Sequence, residues 1–153
     1  MAKLSPLGIG PKIGRIAIPY LAIAITVTLL YPHIFSFSPS AKTPLLIAGT
    51  GILAVGLVFY IMTAKSLLKG LKNNRMITTG PFRYCQNPLY AVMILLIIPG
   101  LSLVLNSWIA LTTCIPAYLI FRKYIHSEYE EMERIFGEDY RKYRERTPEF
   151  FPF

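Results

Sequence analysis

Long apolar runs dominate the pattern of hydrophobic and polar positions along this chain. The runs over 16–35 and 45–64 each reach the length of about 20 apolar residues that a helix needs to cross a membrane, and 89–105 and 108–121 are slightly shorter. This pattern predicts an all-α membrane protein that forms one domain over its 153 residues. With flanking residues included, the four predicted transmembrane helices are 15–37, 45–64, 88–105 and 107–124.

The last two apolar runs are joined by Asn106 and Ser107, so we expect their helices to form a tight antiparallel hairpin. Pro99 and Pro116 interrupt these two runs. Broken helices at membrane depth are tolerated where they line a cavity enclosed by protein, and prolines also cause ordinary kinks in packed bundles. The sequence leaves both interpretations open.

The first two runs contain residues with special backbone properties. Pro19 lies in the opening turn of the first predicted helix, where a missing N–H is tolerated. The second run contains three small residues that should let a neighbouring helix approach closely in lipid. These residues are Gly49, Gly51 and Gly56.

The charges are distributed unevenly along the chain. Up to Ser127 there are eleven Lys or Arg residues and no acid, whereas 128–149 holds all eight acids and five bases; the charges of +11 and −3 give the net +8. The bases lie between apolar runs, which favours anionic lipid headgroups over nucleic acid as their partners. They cluster before the first run and in 65–87, while 31–43 has only Lys42. We therefore expect both termini and 65–87 to face the cytoplasm.

The tail after the fourth run, 125–153, changes in character. Its apolar side chains recur at helical spacing with acids between them, which predicts an amphipathic cytoplasmic helix that stops or bends near Gly137. A second short helix is expected over 138–146, with Pro148 ending it. The apolar stripe of the first of these helices consists of Ile125, Tyr129, Met132 and Phe136.

The segment 78–90 contains more polar groups than solubility requires. Gly80-Pro81 and Asn87-Pro88 are turn dipeptides, which hold the backbone in a non-helical path just before the third predicted membrane helix. The alternative is a re-entry loop whose arginine binds a lipid phosphate. Five polar side chains would lie at the cytoplasmic mouth of the bundle: Arg83, Tyr84, Gln86, Asn87 and Tyr90.

Glu128 begins the acidic tail close to the membrane surface. It lies at the edge of the apolar stripe, where a carboxylate can meet a cationic ligand group; a solvated position remains equally open. The neighbouring acids fit a solvated face better, with pairs such as Glu130 and Arg134 four residues apart.

Several functional classes find little support in the sequence. Two cysteines are too few for a disulfide scaffold. No zinc-ligand spacing, phosphate-binding loop or Ser/His/Asp set is present, and His33 and His126 are isolated. A small transporter is disfavoured, because the apolar runs contain no Lys, Arg, Asp or Glu.

Two separated motifs resemble those of a known superfamily of membrane enzymes. Residues 80–90 read GPFRYCQNPLY, and 136–148 contain Phe-Gly-x-x-Tyr-x-x-Tyr-x-x-Arg-Thr-Pro. Both resemble motifs of the isoprenylcysteine carboxyl methyltransferase and phospholipid methyltransferase superfamily, and the resemblance covers 78–152. This chain has Gln86 where the superfamily usually has arginine, and Asn87 where the carboxyl methyltransferases have histidine. Tyr129 takes the place of the second residue of a Glu-Glu pair.

The resemblance implies an S-adenosylmethionine-dependent methyltransferase of the isoprenylcysteine carboxyl methyltransferase type. Its methyl acceptor would be the polar head of a membrane-embedded lipid or a prenylated small molecule, and neither metal nor nucleic acid is implied. The alternatives are a phospholipid amine N-methyltransferase and a non-catalytic lipid-binding subunit of the same fold. The resemblance leaves the oligomeric state open.

The resemblance also implies which residues form the site. Glu128 would pair with the cofactor's ammonium or oppose its sulfonium, and Asn87 would bind its amino-acid end or ribose. Arg83 would bind the cofactor carboxylate or an anionic acceptor head, and Tyr90 would line the methyl-transfer cleft. The catalytic residues would thus be Arg83, Asn87, Tyr90 and Glu128. The cofactor would be held by Tyr84, Gln86, Asn87, Pro88, Leu89, Tyr90, Glu128, Tyr140, Tyr143 and Arg146.

Overall fold

A computed structural model describes residues 8–73 and 75–150 of the chain. Within these residues the regular structure is helical, with an isolated antiparallel bridge between Ser36 and Ser107, so the predicted all-α class is confirmed. The helices in chain order are α1 (Gly10–Leu30), α2 (Pro32–Phe35), α3 (Lys42–Lys72), a 3₁₀ turn (Gly80–Arg83), α4 (Pro88–Val92), a π-helical turn (Met93–Ile97), α5 (Ile98–Val104), α6 (Trp108–Leu111), α7 (Cys114–Phe136) and α8 (Glu138–Arg146). From α4 to α5 they form one continuous helix, Pro88–Val104.

Two helices in the described part of the chain are long and apolar enough to cross a membrane. They are α1, with 21 residues, and α3, with 31 residues. At a rise of about 1.5 Å per residue they span roughly 32 and 47 Å. Only 17% of the most apolar part of α1 and 11% of that of α3 are buried, whereas a core helix of a water-soluble protein would bury most of its apolar residues. The helix Pro88–Val104 is apolar but shorter.

The helix α1 begins earlier than the sequence indicated. It starts at Gly10, and Pro11 occupies the first turn, where its missing N–H costs no hydrogen bond. Pro19, which was expected in the opening turn, therefore lies inside the helix. The early start brings the amino-terminal end of α1 to Glu128, as described below.

The helix α3 continues eight residues beyond the predicted end at Ala64. Lys65 interrupts the apolar run there, but apolar residues continue among the lysines that follow. This last part of α3 is amphipathic, and Leu67 and Leu71 line the cavity described below.

Two prolines break the helical hydrogen-bonding pattern in the second half of the bundle. Pro99 has no N–H and its ring displaces the carbonyl four residues earlier, and the turn in front of it, Met93–Ile97, is π-helical. Pro116 cannot donate to the carbonyl of Thr112, which instead accepts the N–H of Ile115 at 3.0 Å. The predicted helix 107–124 is therefore divided into α6 and α7, and α7 runs on to Phe136.

Glycines bring α3 close to the helix Pro88–Val104. A Cβ on Gly49 would lie 2.8 Å from the carbonyl oxygen of Gly100, and one on Gly56 would lie 3.0 Å from the Cβ of Leu96. The expectation of close packing is correct for these two residues. It is wrong for Gly51, which has open space at its Cβ position.

One end of the bundle is closed by a cluster of polar contacts that we call the distal cap (Thr28, Ile34, Ser38 and 106–108). Asn106 has a left-handed backbone (φ +51) and its side-chain amide donates to the carbonyl of Ser38 at 3.1 Å. The hydroxyls of Ser107 and Thr28 are 2.7 Å apart, and the Trp108 indole donates to Ile34 at 3.0 Å. These contacts join the Asn106 turn to α1 and α2.

The tail follows the predicted pattern closely. Ile125 and Tyr129 are buried, and Met132 and Phe136 pack against the same core. Gly137 has a left-handed backbone (φ +54) that ends α7, and α8 spans Glu138–Arg146 as expected. The amphipathic stripe thus holds the tail against the bundle at the end opposite the distal cap.

Candidate functional site

A cavity of about 700 Å³ opens at the end of the bundle opposite the distal cap. Its walls come from the first turns of α1, the last turns of α3, the 80–90 segment, α7 and α8. The volume lies within the range of roughly 300–1,000 Å³ that is usual for small-molecule sites. Most of the lining is apolar, including Ile13, Leu67, Leu71, Met93 and Ile97.

The first polar cluster in this cavity, which we call the Glu128 cluster, comprises Gly8, Ile9, Tyr90 and Glu128. The Tyr90 hydroxyl donates to Glu128 Oε1 at 2.7 Å. The backbone N–H of Ile9 donates to the same oxygen and lies 3.2 Å from the Tyr90 hydroxyl. Within the described residues no donor reaches Glu128 Oε2, so this oxygen can accept hydrogen bonds from a ligand.

Gly8 makes this arrangement possible. Its backbone is left-handed (φ +48), and a Cβ there would lie 2.1 Å from Glu128 Oε1 and 2.8 Å from the Tyr90 hydroxyl. No other residue fits at this position without displacing the carboxylate. The amino-terminal end of α1 therefore touches Glu128 directly, and its partial positive charge favours the ionised form.

Glu128 sits in an environment that opposes its charge. Burial raises the pKa of its carboxyl above the ordinary value of 4.5, while the hydrogen bonds from Tyr90 and Ile9 lower it, and burial has the larger effect. Nearby Glu131 raises it further, and Lys12 lowers it. A positively charged ligand group would remove this penalty, so the geometry favours binding of a cation at Glu128.

The second polar cluster, which we call the Asn87 cluster, comprises Asn87, Arg122, Tyr129 and Glu149. The Asn87 amide nitrogen donates to the Tyr129 hydroxyl at 2.6 Å and to the Glu149 carbonyl at 2.8 Å. The Tyr129 hydroxyl in turn donates to Glu149 Oε1 at 3.1 Å, and Glu149 pairs with Arg122. Asn87 is 7% exposed, so both of its amide protons are used to join the 80–90 segment to α7 and the tail.

Gln86 and Tyr143 attach the same segment to α8. The backbone N–H of Gln86 donates to Pro148 at 2.9 Å, and its side-chain amide donates to the carbonyls of Thr147 and Arg144. The Tyr143 hydroxyl donates to the carbonyl of Phe82 at 2.6 Å. The tail therefore forms one wall of the cavity through backbone contacts as well as side chains.

The tyrosines of this wall, of which Tyr129 and Tyr140 are buried and Tyr143 is half-buried, remain neutral hydroxyls. Burial raises the pKa of Tyr129, Tyr140 and Tyr143 above the ordinary value of 10.0. The Arg144 guanidinium lies 4.5 Å from the centre of the Tyr129 ring, a cation–π contact that covers this cluster from outside. Burial also raises the pKa of the Cys85 thiol to about 11, which makes it a poor nucleophile.

Most residues that the sequence assigned to the site line the cavity. They are Gln86, Asn87, Pro88, Leu89, Tyr90, Glu128, Tyr140 and Tyr143. Three assigned residues do not: Arg83, Tyr84 and Arg146 are exposed and lie outside its walls. In the tight turn of 80–86, Phe82 and Gln86 line the cavity and Cys85 is buried. The side chains of Arg83 and Tyr84, which lie between them in the sequence, are exposed outside the cavity.

Four contributors were missed by the sequence. Gly8 and Ile9 come from the chain ahead of the first apolar run, and the only hint of their role is the pair of glycines before Pro11. Arg75 lines the cavity but had been assigned to the membrane surface. Glu149 lies in a short tail with no local signal that it would meet Asn87.

Comparison with known proteins gives two matches. The phospholipid methyltransferase (PEMT) family model matches residues 43–139, which is more than half of the chain. The cobalt-zinc-cadmium resistance protein CzcN of Cupriavidus metallidurans is 34% identical over 86 residues, which make up 56% of this chain and 39% of that protein. The chain thus spans about two fifths of the length of this relative. No solved structure matches. In the part of the chain that the structure describes, no three His, Cys, Asp or Glu side chains form a group that could hold a metal ion.

Proposed function

The chain belongs to the phospholipid methyltransferase family, and from this premise we propose that it uses S-adenosylmethionine to methylate the polar head of a membrane-embedded, lipid-like acceptor. One observation carries the proposal: a single cavity joins the Glu128 cluster to apolar walls formed by α1, α3 and the helix Pro88–Val104. Such a cavity suits a reaction between a charged, water-soluble donor and an acceptor that stays in lipid.

The residues present fit the methyl donor. A cavity of about 700 Å³ is large enough for a nucleoside with an amino-acid side arm. Glu128 Oε2 would accept from its ammonium or oppose its sulfonium, and aromatic rings of Tyr129, Tyr140 and Tyr143 would contact its flat or cationic parts. When bound, the donor supplies a methyl group on a positively charged sulfur, which is a good leaving group.

Asn87 has a narrower role in this proposal than the motif alone implies. Both of its amide protons are used within the protein, so only its Oδ1 remains for a ligand. A hydroxyl of the ribose is a suitable donor to that oxygen. The main effect of Asn87 would be to hold the tail that closes the site.

The protein would contribute mainly orientation and exclusion of water. Holding two reactants in line can supply about 7–11 kcal/mol of the barrier reduction. The apolar side chains around the Glu128 cluster keep water away and strengthen charge interactions within the cavity. Tyr90 would line the transfer path while its hydroxyl holds Glu128 in place.

A phospholipid amine is the second candidate acceptor. An ammonium must lose a proton before it can attack, whereas a carboxylate needs no such step. Burial raises the pKa of the Glu128 carboxyl, and this makes its carboxylate a stronger base than that of an ordinary glutamate. A non-catalytic lipid-binding subunit is the third candidate, and it would show no saturable binding of the methyl donor.

We propose that the chain crosses the membrane four times, within 15–37, 45–64, 88–105 and 107–124, with both termini in the cytoplasm. Exposed apolar side chains on three separate helices support this arrangement: Ile18 and Ile47 are each 69% exposed and Leu119 is 60% exposed. Single cysteines placed at Ser38 and at Thr78 test it. A membrane-impermeant thiol reagent added to sealed cells should label the first and spare the second.

Product analysis tests the enzymatic proposal. Purified protein is incubated with methyl-labelled S-adenosylmethionine and a total lipid extract, and labelled species are identified by mass spectrometry. Label on a carboxyl ester supports the first acceptor class and label on an amine supports the second. Absence of label together with absence of saturable donor binding would leave the non-catalytic subunit.

A further inference from the structure

We propose that Arg75 is the anion-recognising residue of the cavity. It binds either the carboxylate of the methyl donor, whose cationic part meets Glu128, or the carboxylate or phosphate of the methyl acceptor that lies beside the donor. The ligand identities rest on the proposed function. The placement of Arg75 at the cavity wall is independent of the proposed function, because it follows from backbone packing and from the charges around the cavity.

Packing on Gly70 holds Arg75 at the cavity wall. The backbone N–H of Arg75 donates to the Gly70 carbonyl at 3.1 Å. A Cβ on Gly70 would lie 2.3 Å from the side chain of Ile77, so this glycine leaves the space into which Ile77 packs. Together these contacts fold 75–77 back onto the last turns of α3 and bring Arg75, Met76 and Ile77 into the wall.

The charges around the cavity are separated by element. Among the described lining residues the charged ones are Arg75, which follows α3, and Glu128 and Glu131, which both lie on α7. A ligand that fills the cavity therefore meets negative charge on α7 and a positive charge beside α3. This arrangement complements a molecule that carries both a cationic and an anionic group.

Arg75 is available for a ligand, unlike other arginines near the site. Arg122 pairs with Glu149, Arg141 pairs with Glu133, and Arg144 stacks on Tyr129. The Arg75 side chain has no hydrogen bond or ion pair with any residue in 8–73 or 75–150. Arg83, which the motif alone implies for this role, lies outside the cavity.

The chemistry of the guanidinium matches an oxyacid. Its planar fork of N–H groups binds a carboxylate or a phosphate in a bidentate manner. Arg75 is exposed, as Arg83 is, but it lies at the cavity wall, so a ligand in the cavity can reach it. Two ligands would supply that anion: the amino-acid end of the methyl donor, or the head of the acceptor. In both cases the same guanidinium would make the contact.

Equilibrium binding to the purified full-length protein tests the proposal and separates the two sources. The probes are S-adenosylmethionine, its decarboxylated analogue and tetradecyl phosphate, each titrated into wild type, Arg75→Gln and the matched control Arg83→Gln. If Arg75 holds the donor carboxylate, Arg75→Gln lowers the affinity for S-adenosylmethionine about tenfold and leaves the affinity for the decarboxylated analogue nearly unchanged. If Arg75 holds an acceptor head, Arg75→Gln lowers the affinity for tetradecyl phosphate about tenfold and leaves the affinities for S-adenosylmethionine and its decarboxylated analogue unchanged. Arg83→Gln should change none of them by more than about twofold.

The assignment would be overturned by equal affinities in Arg75→Gln and wild type for all probes, by an equal loss in Arg83→Gln, or by equal losses for the donor and its decarboxylated analogue. Binding of neither donor nor tetradecyl phosphate to wild type would also overturn it. Failure of the proposed function can be distinguished from failure of the Arg75 assignment. In that case wild type would bind tetradecyl phosphate in an Arg75-dependent way but would not bind S-adenosylmethionine. Arg75→Lys provides a check on folding, since it keeps the charge and loses the bidentate fork.

Discussion

The Glu128 cluster and the Asn87 cluster lie on the same cavity, and they use their polar groups in opposite ways. Asn87 donates both amide protons to the protein, and its partner Glu149 is neutralised by Arg122. Glu128 accepts two hydrogen bonds at one oxygen and none from a described residue at the other. Its charge is opposed by burial and has no ion-pair partner in 8–73 or 75–150.

This difference separates a structural role from a ligand-binding role. A cluster whose donors and charges are all matched contributes to stability and gains little from a ligand. A buried carboxylate with an unused oxygen costs stability in the free protein and gains most when a cation binds. We therefore expect changes at Asn87 to act first on the fold, and changes at Glu128 to act first on binding.

Glu128→Gln should have the largest effect on ligand binding. The amide oxygen still accepts from Tyr90 and Ile9, so the fold should be kept, but the charge is lost. Affinity for S-adenosylmethionine should fall roughly 10- to 100-fold, as measured by isothermal titration calorimetry. A loss of less than threefold, with an unchanged melting temperature, would mean that Glu128 does not hold the donor.

Asn87→Ala should have the largest effect on stability. It leaves the Tyr129 hydroxyl and the Glu149 carbonyl without their donor, at a cost of about 1–3 kcal/mol. Thermal unfolding should shift downwards and limited proteolysis should release the tail more quickly. The comparison of the two clusters fails if this variant loses donor binding while its unfolding and proteolysis match those of wild type.

The pH dependence of binding should follow the Glu128 carboxyl. Protonation removes the charge that a cationic ligand needs, and burial raises the pKa, so the pH range of this loss lies above the ordinary value of 4.5. Below the pKa, affinity for S-adenosylmethionine should fall by up to about tenfold per pH unit, and it should recover as pH rises through the pKa. Glu128→Gln should bind equally weakly over this range. The same pH profile in both proteins would assign the titration to another group.

Gly8→Ala should have a smaller effect on the Glu128 cluster. Its Cβ would overlap Glu128 Oε1, so the amino-terminal end of α1 must move and Ile9 loses its contact with the carboxylate. We expect donor affinity to fall roughly three- to tenfold, as a consequence of losing about one hydrogen bond. Gly10→Ala is the matched control, because no atom lies within 4 Å of the Cβ position at Gly10. Equal binding in the two variants would show that contact with α1 does not position Glu128.

Local sequence determined the helical class of the chain and much of the tail. The stripe of Ile125 and Tyr129 is buried as its spacing predicted, and Gly137 ends α7. Residues 86–90 line the cavity, where the turn dipeptide Asn87-Pro88 begins a helix as the sequence indicated. These features depend on side chains within one or two helical turns of each other, which is the range over which hydrophobic periodicity and proline chemistry act.

Tertiary structure alone decided which polar groups meet. Ile9 is 119 residues from Glu128 along the chain, and Asn87 is 62 residues from Glu149, so no local pattern connects them. Which arginine lines the cavity was likewise decided by packing, since Gly70 admits Ile77 and thereby places Arg75 at the wall, while the tight turn of 80–86 leaves Arg83 outside. The sequence determined the kinds of chemistry available at this end of the bundle; the approach of helices through glycines determined which groups remain free for a ligand.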